Sequence, residues 1–261
     1  MFHQLICYNI NINKSEGENM KIIADLHTHT NISEHAFSTL EENCIAANKV
    51  GLEAVGITNH GPALEDGASH WHFKSLGKNN PGKMHGVYLI SGIELNIMQD
   101  GSIDLEEEYL SNLDLVIASF HQEIFYPKDK NHVNDMLNEA ITNKNINVFG
   151  HLGNEIFKFD YEDIISKCNK YDKVIEVNNH SFVQRPGSDV NCLEIIKLCK
   201  KYEVPIIVNS DAHISSSVGH FEDAISVIDK AGYPEELIVN SSIERLQDYF
   251  KRIKGIDILN R

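Results

Sequence analysis

The amino-acid sequence predicts an α/β fold whose parallel strands form an open sheet or a closed barrel. Seven short apolar runs, rich in Val and Ile, recur along the chain. They start about thirty residues apart, which is the usual length of a strand–helix–strand unit. Stretches with helical periodicity separate them, and this alternation is typical of parallel sheets and barrels.

The predicted strands do not alternate cleanly between apolar and polar residues, as expected for parallel strands that are buried on both faces. In chain order they are KIIADLHTH, EAVGITNH, GVYLISGIELN, LDLVIASFH, INVFGH, KVIEVNN and VPIIVNSDAH.

The segment after the first strand predicts a helix that begins with a capping box. Ser38 and Glu41 have the required spacing, and Gly51 is well placed to end the helix. Similar apolar periods predict helices in HVNDMLNEAITNKN and DVNCLEIIKLCKKY.

The length of 261 residues fits one large domain, which we place at residues 20–261. Residues 1–19 are polar and rich in turn formers, and Met20 directly precedes the first strand. We therefore expect residues 1–19 to be a disordered tail or not part of the native protein.

Nearly every predicted strand ends in a residue type that binds metal ions. These residues are His27, His29, His60, Glu94, His121, His151, Asp211 and His213. The sixth strand departs from the series, since it carries Glu176, Asn178 and Asn179. The carboxyl ends of all strands of an α/β barrel meet on one face, so these residues are expected to converge.

Together with His35, this set makes nine candidate ligands in a chain with 14 histidines. Any one histidine at a strand end is more often a structural residue, but the placement of the whole set indicates a metal site. A catalytic zinc commonly takes about three protein ligands. Nine ligands fit three ions, especially if Glu94 bridges two of them.

Charge and cysteine content narrow the class of protein. The formal net charge is -15 and no basic block occurs, which argues against a protein that coats nucleic acid or anionic membranes. The five cysteines form no C-x-x-C pair, and no apolar run could span a bilayer. No secretory signal pattern is visible. We therefore expect a cytoplasmic protein with reduced thiols.

With these residues in view, the sequence resembles the PHP (polymerase and histidinol phosphatase) superfamily, and most closely its YcdX-like phosphatases. The resemblance covers roughly residues 20–250. It rests on the motifs DLHTHTNISEHAFSTL, ITNHGPALEDGASHWHF, GIELNI, ASFHQEIF, GHLGN, EVNNHSF and NSDAH.

The resemblance implies a distorted (β/α)7 barrel with a trinuclear site. One ion would be held by His27, His29, Glu94 and Asp211. Glu94 would bridge to a second ion held by His121 and His151, and the third would be held by His35, His60 and His213. Asn59 departs from the family, in which Asp is expected before the histidine, so the environment of His60 is expected to differ.

The function expected from this site is hydrolysis of a small phosphomonoester by a metal-bound water, with Glu94 and Asp211 as catalytic residues. Zinc is the expected metal, with manganese or iron as alternatives. Arg185 is the only arginine outside the C-terminal segment. We expect it to bind the substrate phosphate, with His180 and Asn178 beside it. A solvated loop position is the alternative for Arg185.

Two other functions stay open. One is a phosphodiesterase or exonuclease on nucleic-acid ends, against which the acidic composition counts. The other is a metal-binding module without catalytic activity. The expected partner is a small phosphorylated substrate, with neither a membrane nor nucleic acid, and a homo-oligomer is an open alternative on base rates alone.

Overall fold

A computed structural model describes residues 20–260 of the chain. The tail predicted for residues 1–19 therefore lies outside the described residues, as does residue 261.

Seven parallel strands form the sheet, and a short eighth strand is added antiparallel to one of them. The strands are β1 Ala24–Thr28, β2 Ala54–Ile57, β3 Lys83–Met84, β4 Val87–Asn96, β5 Leu115–Ser119, β6 Val148–Phe149, β7 Val174–Asn178 and β8 Ile206–Asn209. The order is β1-β2-β4-β5-β6-β7-β8, with β3 paired to β4. The seven predicted strands are thus confirmed, and β3 was not predicted.

Helices connect successive strands and surround the sheet. They are α1 Leu40–Lys49, α2 His70–Lys78, α3 Glu107–Leu110, α4 Lys130–Ala140, α5 Tyr161–Ile165, α6 Ser181–Gln184, α7 Ser188–Tyr202, α8 Glu222–Ala231 and α9 Ile243–Lys254. Within residues 20–260, none of the helices is both long and apolar enough to traverse a bilayer.

The sheet curves into a nearly closed barrel whose seam lies between β8 and β1. A single parallel bridge, Thr28 to Ala212, joins the two strands directly. The Asn209 side chain accepts from the Leu26 amide at 2.9 Å, and Asn240 donates to carbonyls on both sides of the seam. The distorted (β/α)7 barrel implied by the resemblance is confirmed, and its distortion lies at this seam.

The barrel interior is filled by apolar residues at alternate positions of the strands. All seven parallel strands contribute to one buried cluster: Ala24, Leu26, Ala54, Ile90, Leu115, Ile117, Val148, Val174 and Ile207. Leu246 and Phe250 of α9 belong to the same cluster and close the barrel at the amino ends of the strands. The carboxyl ends are left for polar residues.

The inward rows of four strands lead directly to predicted ligands. Counting in steps of two from Ala54, Ile90, Ile117 and Ile207 reaches His60, Glu94, His121 and Asp211, respectively. Beyond the carboxyl end of β2, an isolated parallel bridge between His60 and Glu94 continues the pairing of β2 with β4.

The first helix begins one residue later than predicted. Thr39 is the N-cap and forms the capping box with Glu42. Ser38 is unavailable because its hydroxyl accepts from the Ser215 amide at 2.7 Å. The predicted end is confirmed, since Gly51 follows the helix with a φ of 81°.

Candidate metal centre

The candidate centre lies at the carboxyl ends of the strands, where Glu94 is surrounded by imidazoles. Five histidines place a ring nitrogen within 3.5 Å of one of its two carboxylate oxygens: His27, His29, His60, His121 and His151. Glu94 itself is 1% exposed. The predicted convergence of strand ends is therefore observed, while the role of these side chains as ligands stays a prediction.

Asp211 forms the second anionic point of the centre. Its Oδ1 lies 3.0 Å from His29 Nε2, 3.5 Å from His27 Nε2 and 3.7 Å from His213 Nδ1. Two carboxylates thus share the imidazoles of His27 and His29, as expected if one ion lies among all four side chains.

Three groups of side chains bring their ligand atoms within 4.8 Å of one another, a spacing that suits a metal ion. They are His27–His29–Glu94, His60–Glu94–His121 and His29–His60–His213. Because Glu94 belongs to two groups and His29 and His60 each belong to two, the groups form one continuous cluster.

His35 reaches the cluster from the loop after β1. Its Nε2 lies 2.9 Å from His213 Nε2 and 3.3 Å from His60 Nε2, and its Nδ1 contacts the carboxylate of Asp66. The side chain is 48% exposed, so the third predicted set lies at the solvent side of the centre.

Several atoms of the centre are buried without a hydrogen-bond partner among the described residues. They include His27 Nε2, His60 Nδ1, His121 Nε2 and Glu94 Oε2. Orphaned buried polar atoms are costly and rare in native proteins. A divalent cation would satisfy these atoms together, and a set of imidazoles and carboxylates is the donor set that zinc takes. The residues present therefore fit a metal cluster.

The opposite ring nitrogens are held by hydrogen bonds, as is usual for metal-binding histidines. His27 Nδ1 lies 2.7 Å from Glu176 Oε1, and His121 Nδ1 lies 2.7 Å from Asn96 Oδ1. His213 Nδ1 lies 2.9 Å from the carbonyl oxygen of Asp211. These contacts turn the free nitrogens of the three rings toward the centre.

The protonation states favoured at neutral pH suit cation binding. Burial opposes ionisation of Glu94, but the facing imidazoles hold its pKa well below the usual value. Burial lowers the pKa of His29 and of His60, and lowers the pKa of His151 to about 4. Neutral imidazoles and ionised carboxylates are the forms that coordinate metals.

His27 is the exception. Burial opposes its protonation, but the carboxylates of Glu176, Glu94 and Asp211 together raise its pKa well above the usual value. A cation at this position would therefore displace a proton from His27.

Local backbone irregularities orient three of the predicted ligands. The pairing of β1 with β2 shifts by one residue between Asp25 and Thr28, so His27 faces the same interior as Leu26. His151 and Asp211 have φ angles of 33° and 59°, which are uncommon in residues other than glycine and cluster at functional sites.

A cleft of about 1040 Å³ opens above the centre. Its walls include four of the predicted ligands and two of the predicted substrate-binding residues: His35, His60, His121, His213, His180 and Arg185. Glu34, Glu65, Asp66 and Glu123 also line it among apolar and neutral residues, so the cleft carries four carboxylates besides the histidines.

Arg185 directly follows the short helix α6 and its side chain is 17% exposed, so it is not the solvated loop cation of the alternative interpretation. Its Nη2 lies 3.0 Å from Asp211 Oδ2, while Nη1 donates to Ser181 and Asn178. The guanidinium therefore lines the cleft while it is paired with a predicted ligand.

Asn178 does not have the place predicted for a substrate-binding residue. It is 1% exposed, its amide nitrogen donates to Glu176 and Asp211, and its oxygen accepts from Ser181 and Arg185. Both polar atoms are therefore engaged inside the protein, and Asn178 is not among the residues that line the cleft.

The side chain of Asn59 is linked to His60 only indirectly, through the Ser33 hydroxyl, which donates to Asn59 Oδ1 and accepts from the His60 amide. Its oxygen accepts from the Thr30 amide at 2.7 Å, and its nitrogen lies 3.1 Å from His72 Nε2. Asn59 therefore orders the loop after β1, and the absence of an acidic residue there does not change a direct partner of His60.

Sequence reasoning missed the supporting residues Glu176, Asn96 and Asp66, each of which contacts a histidine of the centre. For Glu176 a signal existed, since it lies on the inward row of β7 two residues after Val174. For Asp66 none did, because it lies in a loop.

Comparison with known proteins places these features in a family. The model of the PHP domain matches residues 25–260. A probable phosphatase of Thermoanaerobacter sp. (strain X514) is 43% identical over 239 residues, covering 90% of this chain and 97% of that protein. A probable phosphatase of Acetivibrio thermocellus is 39% identical over 236 residues, covering 90% and 98% of the two chains.

Two solved structures share the fold at low sequence identity. One is histidinol phosphate phosphatase from Lactococcus lactis, in complex with zinc, L-histidinol and phosphate. It has a TM-score of 0.59 and 18% identity, and the match covers 81% of this chain and 94% of that one. The other is a chain of an archaeal ribonuclease P with mature tRNA, with a TM-score of 0.55 and 10% identity over 88% and 91% of the two chains.

Proposed function

The chain belongs to the PHP domain family, and from this membership and its histidine–carboxylate centre we propose that it is a metal-dependent phosphatase acting on a small phosphomonoester. The observation that carries the proposal is the arrangement around Glu94, where five imidazoles meet one buried carboxylate and several of the facing atoms lack hydrogen bonds. The relatives named as probable phosphatases support the same reaction class.

We propose that the centre holds three divalent ions and that these are zinc, with manganese or iron as alternatives. The zinc in the histidinol phosphate phosphatase complex supports this choice. The ions would be held by His27, His29, Glu94 and Asp211; by Glu94, His121 and His151; and by His35, His60 and His213. When bound, such ions supply Lewis acidity and lower the pKa of a coordinated water toward neutrality.

The residues of the chain would then divide the remaining tasks. Glu94, with one oxygen toward each group of histidines, sets the spacing of two ions. Asp211 completes the first site and orients Arg185 through their 3.0 Å ion pair. The guanidinium of Arg185 and the ring of His180, which both line the cleft, can donate to phosphoryl oxygens.

The carboxylates that line the cleft favour a small substrate over nucleic acid. Glu34, Glu65 and Glu123 line the cleft and form no ion pair among the described residues. A polynucleotide would bring further phosphates against these carboxylates, whereas a compact phosphomonoester places its only phosphate at the cationic centre.

The reaction is tested with p-nitrophenyl phosphate and a labelled oligonucleotide. We expect the zinc-loaded protein to hydrolyse the monoester, to lose this activity on chelation and to regain it when Zn²⁺ or Mn²⁺ is added. The oligonucleotide should stay intact. Cleavage of the oligonucleotide alone would favour the exonuclease alternative, and binding of zinc without either reaction would favour the non-catalytic module.

The number of ions is tested by native mass spectrometry of the zinc-saturated protein. We expect three ions per chain, and two in His35→Ala, because His35 belongs only to the third set. The matched control is His70→Ala, since the His70 side chain is 46% exposed, close to the 48% of His35, but pairs with Glu106 away from the cleft. One ion per wild-type chain at saturation would refute the trinuclear assignment.

A further inference from the structure

β7 is the one barrel strand from which no metal ligand is predicted, and a buried carboxylate occupies the corresponding place. Glu176 follows Val174 on the inward row of β7 and is 4% exposed. Its neighbours on both sides of the barrel carry predicted ligands, with His151 after β6 and Asp211 after β8. Glu176 therefore lies at the place where the neighbouring strands carry predicted ligands.

Both oxygens of Glu176 are fully engaged. Oε1 accepts from Asn209 Nδ2 at 2.9 Å and lies 2.7 Å from His27 Nδ1. Oε2 accepts from the His151 amide at 2.9 Å and from Asn178 Nδ2 at 3.1 Å. A carboxylate offers about four acceptor positions, so the group is saturated by these four donors, which come from β1, β7, β8 and the loop after β6.

The contact with His27 fixes the tautomer of that ring. Because an ionised carboxylate can only accept, the one proton that the neutral imidazole keeps must lie on Nδ1. Nε2 is thereby presented to the centre, where it lies 3.2 Å from Glu94 Oε2 and 3.5 Å from Asp211 Oδ1.

The contact with His151 fixes a backbone conformation. His151 has a φ of 33°, which non-glycine residues adopt only where the surroundings enforce it. The hydrogen bond from its amide to Glu176 Oε2 holds that conformation, and the His151 ring then lies with Nε2 2.8 Å from Glu94 Oε1. Gly150, which precedes His151, has no space for a side chain, since a Cβ there would lie 2.2 Å from Ser119 Oγ.

We infer that Glu176 is a positioning residue that sets His27 and His151 together, one on each oxygen of Glu94, so that two neighbouring metal positions are assembled by a single buried carboxylate. This inference rests on the proposed metal centre. It assigns to Glu176 no contact with an ion or with substrate.

The test compares Glu176→Gln with Asp114→Asn, measuring Zn²⁺ affinity by competition with a chromophoric chelator. Asp114 is a matched control because it is also 4% exposed and accepts from Ser91 and Asn80, but it lies at the amino end of β5. Glutamine has one acceptor oxygen, so it cannot serve all four donors. We expect zinc affinity to fall by about 10-fold in Glu176→Gln and to be unchanged in Asp114→Asn.

A second readout follows the hydrogen bond itself. Proton NMR of the zinc-loaded wild type and of Asp114→Asn should show a downfield, slowly exchanging imidazole proton of His27 Nδ1. In Glu176→Gln this signal should shift upfield or vanish. Wild-type zinc affinity in Glu176→Gln, or an equal loss in Asp114→Asn, would overturn the inference. Failure of the wild type to bind zinc would instead refute the metal centre on which it rests.

Discussion

Glu94→Gln is expected to lower phosphatase turnover by at least ~100-fold, the order associated with loss of a metal-activated nucleophile. The substitution keeps the shape of the side chain but replaces one carboxylate oxygen by an amide nitrogen, which can only donate hydrogen bonds. Ring nitrogens of His27, His29 and His60 face Oε2, and those of His121 and His151 face Oε1. The negative charge is lost from both sets of histidines and, whichever way the amide turns, one set also loses its acceptor oxygen.

The experiment measures kcat/KM on p-nitrophenyl phosphate and zinc content in parallel. Glu94→Asp, which keeps the charge but shortens the side chain, separates the need for charge from the need for reach. Thermal unfolding of the metal-free variants reports whether the fold is intact, and Asp114→Asn again controls for loss of a buried carboxylate. Turnover near that of the wild type, with normal zinc content, would contradict a bridging role for Glu94.

The sequence could predict the convergence of the candidate ligands because four of the nine obey simple strand geometry. His60, Glu94, His121 and Asp211 continue the inward rows of their strands, so a period of two and a common carboxyl face suffice to bring them together. Glu176 obeys the same rule, but its partners His27, His151 and Asn209 lie on other elements of the barrel, so its contacts could not be predicted from the sequence.

The remaining features depend on backbone irregularities and on tertiary contacts. His27 faces inward because β1 carries a bulge, and His151 because of its left-handed conformation. Neither feature changes the hydrophobic periodicity of the sequence, so neither could be predicted from it. The N-cap lies at Thr39 instead of Ser38 because Ser215, far along the chain, binds the Ser38 hydroxyl. The engagement of Asn178 likewise depends on residues from other elements.

The second large effect on activity is expected from substitution of Arg185. Its side chain has three hydrogen bonds within the protein, to Asp211, Ser181 and Asn178, out of the five that a guanidinium can donate. The remaining N–H groups are available to a phosphoryl oxygen in the cleft that Arg185 lines. If Arg185 binds phosphate, its ion pair with Asp211 would hold the guanidinium in place before the substrate arrives.

We expect Arg185→Ala to lower kcat/KM by roughly 10- to 100-fold, since a hydrogen bond to a charged group contributes on the order of 1.5–3 kcal/mol. Arg185→Lys should restore activity only in part, because an ammonium cannot hold Asp211 and fork onto a phosphate at once. Arg245→Ala is the control. Like Arg185, Arg245 pairs with a serine and a carboxylate, but it lies on α9.

Zinc content decides between two explanations of a loss of activity in the Arg185 variants. If Arg185 binds substrate, zinc content should stay at the wild-type level while kcat/KM falls, because Asp211 retains its contacts with His27 and His29. If Arg185 acts only by holding Asp211, zinc affinity should fall together with activity. An unchanged kcat/KM in Arg185→Ala would limit the guanidinium to its ion pair and leave phosphate recognition to the metal centre and the backbone.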